Sequence, residues 1–156
     1  MTQTVAAISI QRRTVAVAVF RELHLEGVVV RHIPSDTTRA ENTIVGFAHE
    51  MCSHYKISAV AIETNERATA RLERSYACAR KAFEDESVSL HEVPLRELME
   101  SYAYRPLKLR QQLRRIARKI WPVLENKRYG ITSLDAALVG LCAQTKRLLN
   151  INPDHQ

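Results

Sequence analysis

Apolar and polar positions in this chain follow two periods, and the change from one to the other marks the elements. Three short runs rich in β-branched residues open it: Val5 to Ile10, Thr14 to Phe20 and Leu25 to Ile33. Only Gln11-Arg12-Arg13 and the stretch Arg21 to His24 separate them, which predicts an antiparallel meander of three strands. Pro34 and Ser35 stop it. Thr38-Arg39-Ala40-Glu41 then fits a capping box, and Ile44, Ala48, Met51, Cys52 and Tyr55 recur at helical spacing behind it.

Ile57 to Glu63 differs from everything around it. This run neither alternates nor carries a charge before its final carboxylate, as expected of a strand covered by helices on both faces, and we read it as the central parallel strand. A helix follows with Leu72, Tyr76, Ala79 and Phe83 on one face, closed by the acidic turn Glu84-Asp85-Glu86. Next come a strand from Ser87 to Val93 and a short helix led by Pro94 and reaching about Tyr102. Leu107 to Trp121 is the most amphipathic stretch, with Leu109, Leu113, Ile116, Ala117 and Ile120 forming an apolar stripe. Pro122 ends it, and a last helix from Ser133 to Asn150 places Leu134, Leu138, Leu141, Thr145 and Leu148 on one face. The order predicts an α/β fold in a single domain over residues 1–150, followed by a C-terminal tail at 151–156.

Composition narrows the function classes. With 156 residues, 46% of them apolar, the chain can bury one core of ordinary size. No apolar run approaches the roughly 20 residues that cross a bilayer, and the start shows no signal pattern, so the expected setting is the cytoplasm, away from membranes. Cys52, Cys78 and Cys142 lie far apart in apolar helical patterns and read as small hydrophobes. The histidines are scattered, His49 and His54 five residues apart on different helix faces, which argues against a zinc or haem site. Neither a glycine-rich phosphate loop nor a G-x-S-x-G elbow occurs.

Charge singles out one segment. Of the net +6, everything basic about the balance falls between Arg105 and Arg128, where nine cations (Arg105, Lys108, Arg110, Arg114, Arg115, Arg118, Lys119, Lys127 and Arg128) face one acid, Glu125. Six of them fan over the polar half of the Leu107 to Trp121 helix. A face without acids is a footprint for phosphates, and it is equally a solvated helix face. Arg12 and Arg13 read as exposed hairpin-tip residues, and Arg67, Arg71 and Arg74 as intrahelical partners of Glu66 and Glu73. Trp121 reads as a core anchor.

Two acids are candidates for chemistry. Glu63 ends the central strand, where open α/β sheets hold their working groups, although a solvated strand-end acid would look the same. Asp135 completes a possible capping box in Thr132-Ser133-Leu134-Asp135, so a helix cap is its plainer role.

Four stretches in this order resemble the RuvC-type Holliday-junction endonucleases, of ribonuclease H-like fold. Ala59 to Glu63 resembles the family's catalytic strand, and Val88 to Leu98 its next strand and Pro-led helix. Leu107 to Pro122 resembles the helix after that, and Leu134-Asp135-Ala136-Ala137-Leu138 the closing D-A-L segment. The resemblance spans nearly the whole chain and implies a mixed sheet, three strands antiparallel and two parallel, flanked by helices. It further implies nucleic acid, branched DNA, as partner, a homodimer, and a Mg²⁺ or Mn²⁺ pair about 4 Å apart held by four acids.

Here the chain departs from the family. Glu63 and Asp135 match two of the acids, but the first falls at Ser9 and the acid expected three residues before Asp135 falls at Thr132. A single ion on Glu63 and Asp135 is conceivable with substrate phosphates completing its shell; a bridged pair is not. Three readings follow: a nucleic-acid-binding or accessory module, not an enzyme, working through Arg105, Lys108, Arg110, Arg114, Arg115, Arg118 and Lys119; a weak Mg²⁺- or Mn²⁺-dependent endonuclease centred on Glu63 and Asp135; and a protein-interaction domain.

Overall fold

Valine and alanine alternate along the second strand, and side chains of unequal size on the two faces of the sheet build the molecule in layers. The computed structural model describes residues 3–103, 105, 107–126 and 129–154, with the side chains of the last helix as far as Thr145. Strands β1 (Thr4–Ile10), β2 (Thr14–Arg21) and β3 (His24–His32) form the predicted meander. After helix α1 (Thr37–Tyr55), strand β4 (Ala59–Thr64) enters beside β1 in parallel; helix α2 (Ala70–Asp85) then leads to β5 (Ser89–Pro94), parallel to β4. The five strands lie in the order β3-β2-β1-β4-β5, which corrects one expectation: the middle strand is β1, and β4, expected at the centre, lies between β1 and β5 because the antiparallel meander extends the sheet on the far side of β1 only. Helices α3 (Leu95–Ser101), α4 (Arg110–Ile120) and α5 (Ile131–Asp154) complete the chain, with a 3₁₀ turn at Pro122–Glu125 between the last two. The mixed sheet with three antiparallel and two parallel strands is the expected one.

The two faces of the sheet differ in residue size. Ile8, Ile10, Val15, Val17, Val19, Val60 and Ile62 point to α1 and α2 and bury Ile44, Phe47, Tyr76 and Phe83 there. Ala7, Ala16, Ala18 and Ala61 point the other way, toward α3, α4 and α5. Small side chains let a helix approach the sheet closely, and α5 does so. Every residue from Thr132 to Gly140 is buried, as befits a helix enclosed on all sides rather than on the single leucine face its spacing predicts. Gly140 lies directly over the Phe20 ring.

Several local expectations are corrected. Asp36, not Thr38, caps α1, its carboxylate accepting from the Arg39 N–H at 3.0 Å. Helix α4 starts at Arg110 rather than Leu107, because Gln112 folds back to accept from the N–H groups of Lys108 and Leu109 at 3.1 Å each and so closes the first turn there. Arg74 pairs with Glu41 of α1 at 2.8 Å and Arg71 donates to the Pro34 carbonyl, so these arginines tie α2 to its neighbours rather than to itself. Trp121 meets Phe20 edge-on with centroids 6.2 Å apart, from the helix side of the sheet. Among the described residues, no helix is long and apolar enough to cross a membrane.

Candidate functional site

The site forms on the alanine face of the sheet, at the end of its central strands. On β4, Ala61 points to α5, and the alternation of side chains brings Glu63 to the same face. On β1, Ala7 lies level with Ala61; one pleat further on, Ser9 comes beside Glu63. Asp135 descends onto them from α5. It sits a full turn inside that helix and is 1% exposed, so it is no cap. The capping-box reading fails on its partners as well: Ser133 Oγ bonds to nothing, and Thr132 Oγ1 bonds to Thr14 Oγ1 on β2. Sequence positions 9, 63, 132 and 135 are thus drawn toward one corner of the fold, and Ser9, Glu63, Thr132 and Asp135 are all buried.

What closes the site is α4. Arg110 grips Glu63 with both terminal nitrogens, Nη2 to Oε2 at 2.6 Å and Nη1 to Oε1 at 3.2 Å, while Nη1 also reaches Asp135 Oδ2 at 3.1 Å. Arg114 holds Asp135 in a fork, Nε to Oδ1 at 3.1 Å and Nη2 to Oδ2 at 3.0 Å. Gln11, in the first hairpin turn, adds a bond from Nε2 to Asp135 Oδ2 at 2.7 Å. Planar forks of this kind are the strongest hydrogen bonds a carboxylate makes. Asp135 therefore accepts four bonds, about the capacity of an ionised carboxylate.

Electrostatics follow from burial and pairing. Burial pushes the Glu63 carboxyl above its ordinary range, against the downward pull of the Arg110 bonds; the Asp135 charge adds to the rise. For Arg110, burial pulls the guanidinium down, and its bonds to Glu63 with the charges of both acids more than restore it. Tyr76, beneath Glu63 on α2, is pushed up to about 12 by burial and by that same carboxylate.

The metal pair implied by the resemblance does not fit this donor set. Among the described residues Glu63 and Asp135 are the only two acids at the site, both engaged by guanidinium groups, and no group of three or more His, Cys, Asp or Glu converges. Ser9 Oγ is buried without a hydrogen-bond partner, and a neutral hydroxyl contributes no charge against two dications.

Of the cations on α4, the structure divides the set. Arg110 and Arg114 turn inward, which corrects their placement on an acid-free outer face. Lys108, Arg115 and Lys119 are exposed and Arg118 partly so, with Arg105 exposed just upstream; none of these five has an ion-pair partner among the described residues. Lys127 and Arg128 lie outside the described residues. The apolar stripe is redrawn by the same rotation: Leu113 and Ala117 are buried, whereas Leu109 and Ile120 are exposed. Gln11 and Thr14 were not marked by any sequence motif. The inward arginines left a trace, since Arg110, Leu113, Arg114 and Ala117 stand at i, i+3, i+4 and i+7 and so share one face.

No protein-family model matches the sequence, and no curated protein is similar to it. Among solved structures, RuvC of Thermus thermophilus superposes with a TM-score of 0.76 at 15% identity, over 94% of this chain and 96% of that one. The same protein in complex with its Holliday junction substrate superposes with a TM-score of 0.75, at the same identity and coverage. Together with the sheet order and the site's position at the ends of the central strands, this shows that the chain has the ribonuclease H-like fold of RuvC from end to end of its core.

Proposed function

We propose that this chain is a RuvC-like nucleic-acid-binding module, an accessory rather than a nuclease, which holds phosphate backbones without metal. The observation that carries the reading is the division of labour on α4. Its inward arginines neutralise Glu63 and Asp135, so these two carboxylates do not stand bare against phosphate at the sheet's working end. The outward residues Arg115, Arg118 and Lys119, with Arg105 and Lys108, offer cations that no acid pairs with among the described residues. Branched DNA is the first partner to test, since the superposed Thermus protein is seen with a Holliday junction.

Titration of labelled four-way junction, duplex and single-stranded DNA and RNA, in EDTA, Mg²⁺ and Mn²⁺ and at two salt concentrations, tests this by gel shift and cleavage together. Expected are shifts that weaken with salt, are equal in EDTA and metal, and show no cuts. Replacing Arg115 and Arg118 together by Ala should lower the salt slope by about 1 for each phosphate no longer neutralised. Cleavage that needs metal and disappears in Glu63→Gln would restore the nuclease reading.

A second reading, a protein-interaction domain or homodimer, is favoured by the exposed side chains of Leu109 (60%), Ile120 (41%) and Val123 (62%) at the two ends of α4. Absence of any shift at physiological salt, with a concentration-dependent mass in solution, would support it instead.

A further inference from the structure

The corner where Ser9, Glu63, Thr132 and Asp135 meet holds two buried carboxylates and two guanidinium groups, and its charge sums to zero without any ion. From this we infer that Arg110 and Arg114 are the resident counterions of the acid pair: they take the place of divalent cations, keep them out, and their removal turns the pair into a divalent-cation site. The inference stands on this geometry and requires no nucleic acid, so it can fail or hold independently of the binding function.

Three features carry it. First, the bonding occupies every carboxylate oxygen: Asp135 accepts three bonds on Oδ2 and one on Oδ1, and both Glu63 oxygens face Arg110. A dication could enter only by displacing a guanidinium group. Second, displacement has nowhere favourable to go, because the side chains of Arg110 and Arg114 are only 26% and 15% exposed and their stems share the buried face of α4 with Leu113 and Ala117. Third, the acids stand on regular elements, one on β4 between β1 and β5 and one on a fully enclosed turn of α5, with the unpartnered Ser9 hydroxyl on the same face of the sheet. With the arginines gone, two carboxylates and neutral oxygens would remain in a buried corner that lacks positive charge. Magnesium and manganese, which bind through one or two carboxylates plus water, suit that donor set.

Thermal unfolding of the full chain in EDTA and in Mg²⁺ or Mn²⁺ tests the inference, with Tb³⁺ luminescence as a direct probe of binding. The wild type should melt at the same temperature in EDTA and in millimolar Mn²⁺, and give no saturable Tb³⁺ signal. The double variant Arg110→Gln, Arg114→Gln should melt lower in EDTA. At a Mn²⁺ concentration about ten times the dissociation constant it should gain about 4 °C. The double variant Arg110→Lys, Arg114→Lys keeps both charges and should stay unresponsive, which separates the counterion role from mere packing. If the glutamine pair does not fold in EDTA, folding on addition of Mn²⁺ would support the inference, and Arg114→Gln alone should show a smaller gain. A wild-type melting temperature that rises with Mn²⁺ and loses that rise in Glu63→Gln would overturn it. So would a glutamine pair that folds and ignores metal.

Discussion

Glu63 is governed by two opposed effects of nearly equal kind: burial favours its neutral form, and the Arg110 fork favours its charged one. Burial dominates, so the folded chain holds this proton more tightly than the unfolded chain does. The consequence for stability has a definite sign. Below the ordinary value of 4.5 both states carry the proton and Glu63 costs nothing; as pH rises through 4.5 toward the raised folded value, the unfolded chain ionises first and stability is lost. Urea unfolding across that window should therefore show the wild type losing stability relative to Glu63→Gln, and parallel curves would contradict the burial argument. Arg110→Ala, by contrast, strands a buried carboxylate against Asp135 and should cost about 3–5 kcal/mol near neutral pH, measured the same way. The acid was legible in the sequence because it ends a run that is otherwise apolar. Its partner, 47 positions away, was not, since whether an arginine points in or out depends on the rotation of its helix.

That rotation belongs to the elements. Spacing alone assigns α4 an apolar stripe through Leu109, Leu113 and Ile120, but three ion pairs hold the helix so that only Leu113 and Ala117 are buried. A charge-assisted fork can outweigh the burial of one leucine at a helix end, and a hydrophobic pattern contains no record of it. Helix α5 shows the opposite failure. Its leucines suggested one buried face, whereas the alanines of β1, β2 and β4 bring it so near that from Thr132 to Gly140 all its sides are covered. The alternation of Val with Ala in Thr14 to Phe20 held that information, as two faces of unequal size. Gly140 is where the approach is closest. A methyl group added there would overlap the Phe20 ring, which is itself fully buried and backed by Trp121. Gly140→Ala should accordingly destabilise the chain by about 1–3 kcal/mol despite the better helix propensity of alanine, as read by chemical denaturation.

For the molecule as a whole, the antiparallel meander and the two parallel strands were readable because the links within the meander are short and each strand type has its own pattern; which strand lies in the middle was not. What the sheet gathers is harder to read. Ser9, Glu63, Thr132 and Asp135 span most of the chain, and they meet through β1–β4 pairing and the docking of α5. Since both helical layers share this one sheet, unfolding should be a single event. Circular dichroism reports on all elements and Trp121 fluorescence on the α4 side alone; their denaturation curves should coincide, and separate midpoints would show that the two layers melt independently.

The neutral balance of the four buried charges also limits which substitutions the corner tolerates. Each single substitution toward a metal centre changes the buried charge by one unit. Ser9→Asp or Thr132→Asp would set three carboxylates against two guanidinium groups, and loss of either arginine would leave two carboxylates against one. Each of these intermediates buries an uncompensated charge, a cost on the scale of the whole stability of a domain this size. The four charges therefore stand or fall together: adding one acid or losing one arginine leaves an uncompensated charge in the core, and only paired changes keep the balance.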